Sequence, residues 1–188
     1  MRRIVVTEFV SLDGVMEDPG GSEGTEHGGW TFKFEDPEGM SYKLDEVMDH
    51  EAMLLGRVTY EGFAAAWPGI KDQVGFADKM NAMPKYVVSR TLERADWNNS
   101  SVLSGDVAEE VTALRQQEGG DILVAGSASL VRELIAHDLV DEYRLMVFPI
   151  VLGSGKRLFA DAAGAPVLKL VDLKRLESGT VILTYHRG

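Results

Sequence analysis

The rhythm of the chain up to Ile135 constrains the fold most strongly: short apolar, β-branched runs each close on a turn bearing Gly or Ser and then pass into a helical pattern. The run Ile122-Leu123-Val124-Ala125 is apolar on every side, as a strand covered on both faces requires, and Gly126-Ser127 leads from it into a helix carrying Leu130, Val131, Leu134 and Ile135. Residues 3–10 read as a similar buried strand, ended by the turn Ser11-Leu12-Asp13-Gly14. Residues 52–55 form another, running into Gly56 and a helix over 58–66 that Trp67-Pro68-Gly69 stops. Residues 85–89 form a third strand and 101–103 a shorter fourth. Asp106 then caps a helix in which Val107, Val111 and Leu114 recur at i, i+4 and i+7.

After that the rhythm changes. Residues 141–151, 167–176 and 180–186 are strand-like without intervening helices, with Ser178-Gly179 as a turn, so antiparallel pairing is expected there. The whole predicts a three-layer α/β/α domain over residues 1–188: a mainly parallel sheet, finished by antiparallel strands and covered by helices on both faces. Residues 17–39 are broken by Gly and Pro and read as a long loop over one end. Residues 40–50 read as a helix with Met40, Leu44, Val47 and Met48 on the buried face and Lys43, Asp45, Glu46 and Asp49 towards water. Residues 71–83 read as a weaker helix or a helical loop, with Trp67, Met80 and Met83 as core or interface packing residues.

Composition removes several function classes. Thirty acidic against nineteen basic side chains give a net charge of -11, a field that repels nucleic acid and anionic membrane surfaces. The basic start Met1-Arg2-Arg3 is followed by a run that Thr7 and Glu8 interrupt, so it reads as a first strand and not a signal peptide. A cytoplasmic protein is expected. There is no cysteine, hence no thiolate chemistry or Cys-based zinc site, and the four histidines are scattered without metal-binding spacing. Gly153-Ser154-Gly155-Lys156 fails the P-loop pattern because Ile150 and Arg157 occupy required Gly and Ser/Thr positions, and no GxSxG elbow exists.

What remains is a set of turns at strand ends. Gly126-Ser127-Ala128-Ser129 aims the free amides of a helix start outward, which suits an anion, although Ser127 read alone is more simply an ordinary N-cap. Gly56-Arg57-Val58-Thr59 and Ser89-Arg90-Thr91 add a guanidinium and a hydroxyl each. In an open α/β sheet ligands settle outside the carboxyl ends of strands, so three such turns on one edge suggest a bound nucleotide.

Together with Leu54-Leu55-Gly56-Arg57-Val58-Thr59-Tyr60-Glu61, Lys85 to Leu92, Val124 to Ser127 and Leu139 to Leu145, the Ser-Leu-Asp-Gly turn resembles the dihydrofolate reductase-like superfamily. The stretch Pro149-Ile150-Val151-Leu152-Gly153-Ser154-Gly155-Lys156-Arg157-Leu158-Phe159 is similar to its riboflavin-biosynthesis branch, the C-terminal reductase domain of deaminase-reductase proteins, here expected without the deaminase part. The resemblance implies a reductase that uses NADPH on a small planar heterocycle, pteridine- or pyrimidine-like, or a related acceptor. The alternative is a non-catalytic nucleotide-binding sensor or scaffold. It implies that Gly56, Arg57, Thr59, Ser89 and Arg90 surround the 2′-phosphate and pyrophosphate, that Gly126, Ser127, Ala128 and Ser129 hold the pyrophosphate, and that the nicotinamide lies against the first strand and the sheet centre, with Leu152 and Gly153 passing it from the other side. Asp13 or an ordered water is the expected proton source, with an Asx-type turn as the other reading of Asp13, and Ser11, Trp30 and Gly155 are expected on the substrate side. Trp30, Phe32 and Phe34 form either a pocket wall or a short strand anchoring the loop. Dihydrofolate reductases hold their pterin with a carboxylate in the helix before the Gly-Arg-x-Thr turn; the aligned segment here, 40–44, has none, and Asp36, Glu38 or Asp45 reach that place only by a register shift. A homodimer through the late strands is also implied, with the apolar run 145–152, expected at a sheet edge that needs cover, partly in the interface.

Overall fold

The structure, a computed structural model, describes residues 1–159 and 167–188. Its strands are β1 (Ile4–Ser11), β2 (Ala52–Gly56), β3 (Lys85–Val88), β4 (Ser100–Leu103), β5 (Ile122–Val124), β6 (Glu142–Phe148), β7 (Leu168–Arg175) and β8 (Val181–Arg187). Its α-helices are α1 (Pro37–Asp49), α2 (Arg57–Ala66), α3 (Phe76–Ala82), α4 (Val107–Gln116) and α5 (Ala128–Ala136). The strands form one sheet in the order β4-β3-β2-β5-β1-β6-β8-β7. Every pairing from β4 to β6 is parallel, and β8 runs antiparallel to both β6 and β7.

Strand alternation builds the layers. Ile4, Val6, Leu54, Ile122 and Val124 point to one face, where α4 and α5 supply Val111, Leu114, Val131 and Leu134. Val5, Met53, Leu55 and Leu123 point to the other, against Val47 of α1, Tyr60 of α2 and Met80 of α3. Strands buried on both faces explain why their sequences read as continuous apolar runs. Among the described residues no helix is long and apolar enough to cross a membrane.

Four expectations are corrected. Helix α1 turns differently: Met40 is 73% exposed and Met48 is exposed, while Glu46 is buried and Lys43 faces inward with it. A helix against the end of a polar strand segment buries what that segment pairs with, and here β1 offers Thr7. Trp30–Phe34 is a 3-10 helix and neither a strand nor a pocket wall; Trp30 is 1% exposed, packs edge-on against Phe148 and donates its indole N–H to the Glu17 carbonyl, while Phe32 faces solvent. The helix expected over 71–83 is confined to α3, because the Asp72 carboxylate collects the amides of Val74, Gly75, Phe76 and Ala77 into a loop ahead of it. Finally, the run 145–152 is not a sheet edge: β6 lies between β1 and β8, with Leu145, Met146 and Phe148 buried. The late edge is β7, which exposes Leu170, Val171 and Leu173.

Candidate active site

Because β3, β2, β5 and β1 are adjacent and parallel, the turns that follow them share one edge. The Gly56 amide donates to the Gly126 carbonyl at 3.0 Å, so the starts of α2 and α5 touch backbone to backbone. Neither position tolerates a larger residue. A Cβ on Gly56 would lie 3.0 Å from the Ser127 amide nitrogen, and one on Gly126, whose φ is +98°, would lie 2.8 Å from Thr59 Oγ1. The Gly126–Ser127 peptide bond is cis.

Ser127 occupies the N-cap position of α5 but its side chain makes no capping bond; its hydroxyl pairs with that of Ser129 at 2.9 Å. Gly56, the N-cap of α2, has no side chain to offer. By contrast, α1 and α4 are capped by the carboxylates of Asp36 and Asp106. Two helix starts without carboxylate caps, side by side, leave amide donors and positive dipole ends directed at one place, the arrangement that suits phosphate oxygens. Beside them Ser89 closes its own turn by accepting from the Thr91 and Leu92 amides, which leaves Arg90 exposed. Arg57 donates from Nη1 to both carboxylate oxygens of Glu61 one turn along α2 at 2.9 and 3.0 Å, with both side chains nearly half exposed. An exposed pair of that kind contributes only about 0.3–0.5 kcal/mol, so the guanidinium is readily transferred to a phosphate.

The β1 turn is organised differently from expectation. Ser11 donates its hydroxyl to Asp13 at 2.7 Å and accepts from the Val15 amide, so it is spent within the turn. The Asp13 carboxylate also accepts from the amides of Leu152 at 3.1 Å and Gly153 at 2.9 Å, and Arg157 stands 3.4 Å away. The Ser11 hydroxyl, followed by the Leu152 amide, holds Asp13 down to about 2. A carboxylate with both oxygens engaged and so low an affinity for protons is a brace between the β1 turn and the loop after β6, which corrects its assignment as the proton source. Gly155 backs onto Val15, and together with Leu152, Glu17, Thr25 and His27 these residues line a cavity of about 190 Å³ beneath the loop 17–29.

The family model for the RibD C-terminal domain matches residues 2–182. The chain belongs to this family. It is 33% identical over 189 residues to the uncharacterized protein YyaP of Bacillus subtilis (strain 168), covering 98% of this chain and 95% of that one. Among solved structures it is similar to a putative riboflavin biosynthesis protein from Shewanella sp. PV-4, with a TM-score of 0.79 at 19% identity over 99% of both chains. It is also similar to the dihydrofolate reductase of Enterococcus faecalis complexed with NADP(H), with a TM-score of 0.59 at 18% identity over 99% of this chain and 96% of that one. The fold is therefore dihydrofolate reductase-like, and the family is reductase-like. Its marker stretch at 149–159 folds back on β1: Val15 bridges to Arg157, and Leu158 is fully buried.

One set of inward-facing polar residues was not anticipated. Thr7 donates its hydroxyl to Glu46 at 2.9 Å, Lys43 donates to Thr7 at 2.7 Å and pairs with Glu46, and Arg144 on β6 stands 3.7 Å from the other Glu46 oxygen. Next to Thr7, Glu8 is only 7% exposed, and its Oε1 has no hydrogen-bond partner among the described residues. Burial pushes its carboxyl well above the ordinary range, and Glu46 adds to this while Lys43 opposes it. The signal was in the sequence: a Thr-Glu pair inside a strand that must be central is a buried charge. None of the three acids weighed as pterin carboxylates takes that role, since Asp36 caps α1 and accepts from Ser178, Glu38 pairs with Lys174, and Asp45 is exposed.

Proposed function

We propose that the chain is an NADPH-dependent reductase that delivers a hydride to a small planar heterocycle, pteridine- or pyrimidine-like, or a related acceptor. The observation that carries this reading is the pair of touching helix starts without carboxylate caps at Gly56 and Gly126, flanked by Arg57 and Arg90 on an otherwise acidic protein. The donor set fits a dinucleotide: the amides of Ser127, Ala128 and Ser129 bind the pyrophosphate, and Arg57 and Arg90, with Thr59 and Ser89, bind the 2′-phosphate end. When bound, the cofactor supplies the hydride, and the chain supplies position and electrostatics. Leu152 and Gly153 carry the β1 turn through Asp13 and set that wall of the site. Folate itself is disfavoured as the substrate, because residues 40–44 hold no acid and the carboxylate that α1 does turn inward, Glu46, is bound by Thr7 and Lys43. A homodimer belongs to this proposal, formed through the exposed apolar side chains of β7.

The test is affinity for NADPH against NADH in wild type and Arg57→Ala. The expected result is a preference for NADPH that falls at least about tenfold in the variant, the order of one charge-assisted phosphate contact. Equal losses for the two nucleotides would remove Arg57 from the 2′-phosphate.

A further inference from the structure

We propose that Glu8 is the acid of this site, a buried carboxyl that carries a proton on the central strand and passes it to the acceptor as the acceptor is reduced. The inference rests on the cofactor reading above and adds the residue that the reaction still lacks, since Asp13 is committed as a brace. Its position comes from the turn geometry: a point one bond out from Gly126 lies 2.8 Å from Thr59 Oγ1 and 3.8 Å from Glu8 Oε1. Glu8 therefore reaches to where the starts of α2 and α5 meet, beside the sites assigned to the dinucleotide.

Its surroundings argue for a neutral, proton-bearing group. From α1, Lys43 is bound to Thr7 and Glu46; from β6, Arg144 is bound to Glu142 and faces Glu46; from α2, Thr59 is uncharged. Among the described residues no cation donates to Glu8, and the nearby Glu46 carboxylate repels a second negative charge. A carboxyl that is buried without a paired cation keeps its proton. An unpartnered buried oxygen in a central strand asks for an explanation, and a bound acceptor supplies one. In the step itself the Glu8 O–H bond breaks as an N–H or O–H bond forms on the acceptor heteroatom. That heteroatom takes the π-electron pair displaced when the hydride bonds to carbon. The resulting carboxylate regains its proton from solvent after product leaves.

The experiment has two arms, both free of any need for the natural acceptor. Carbon-13 NMR of the glutamate carboxyls in the unliganded protein, with Glu8 assigned by its absence in Glu8→Gln, is expected to show one glutamate protonated at pH 7. Calorimetric titration with NADP+ in buffers of different ionisation enthalpy is expected to show proton release in wild type, because a cationic nicotinamide lying against β1 at the sheet centre favours the Glu8 carboxylate, and loss of that release in Glu8→Gln. A Glu8 that is ionised at pH 7 overturns the proposal, as does a protonated Glu8 whose replacement leaves the proton release unchanged. Failure of both nucleotides to bind a folded protein overturns the cofactor reading and the acid role with it; the NMR arm then reads whether the buried proton itself was real.

Discussion

Replacing Gly56 by Ala tests whether the two helix starts are in contact. Gly56 has φ -75° and ψ 158°, a backbone that Ala adopts without strain, so the effect of the substitution on the folded state is steric alone. The added methyl would overlap Ser127 Oγ and stand 3.0 Å from both the Ser127 Cβ and its amide nitrogen, and a backbone atom cannot rotate away. Overpacking of this kind costs roughly 1–3 kcal/mol, offset by about 0.4–1 kcal/mol from the stiffer unfolded chain, which leaves a net loss of about 1.3 kcal/mol at mid-range. For a chain of this size that lowers Tm by roughly 3–5 °C. Because the displaced turn holds the candidate pyrophosphate amides, NADPH affinity followed by fluorescence titration should fall as well. Gly69→Ala is the control, since nothing lies within 4 Å of its added methyl. If Gly56→Ala melted and bound NADPH like wild type, the reasoning from the touching turns would be refuted.

Three further outcomes follow from the same geometry. Glu46→Ala strands Lys43 facing inward, while Arg144 keeps its pair with Glu142, and losing one partner of a buried ion pair costs about 3–5 kcal/mol, a Tm drop of roughly 6–20 °C by calorimetry. Trp30→Ala should lower Tm of the ligand-free protein by a similar amount, as deletion of a fully buried indole costs about 3–5 kcal/mol; an unchanged Tm would return Trp30 to a pocket wall. Asp13 has a folded value near 2, below its ordinary 3.8, so its stabilisation is complete above about pH 4 and is lost as pH falls towards 2. Acid titration of Tm should therefore be steeper in wild type than in Asp13→Asn, and parallel curves would contradict the brace.

The sequence was most legible where periodicity and burial agree. Strands such as Ile122–Val124 are apolar on both faces because helices cover both, and their turns Gly56-Arg57 and Gly126-Ser127 are marked by residues with few other uses. Helix α1 was misread because its buried face is polar: Lys43 and Glu46 satisfy each other and Thr7, so an apolar stripe gives the wrong rotation. Asp13 and Ser11 looked like chemistry because a hydroxyl and a carboxylate share a strand end, but their partners, the Leu152 and Gly153 amides, lie nearly 140 residues away and no local pattern announces them. Glu8 escaped notice for the opposite reason. Its Oε1 has no hydrogen-bond partner among the described residues, so no motif surrounds it, and only the central place of β1 in the sheet gives its charge a meaning.

Thermal unfolding with NADPH and with NADH over a concentration series tests the central claim most directly. At a hundred times its dissociation constant NADPH should add about 2.7 kcal/mol, a rise of roughly 5–11 °C, with NADH giving less at equal concentration. A Tm that neither nucleotide moves would contradict the cofactor site on this edge of the sheet.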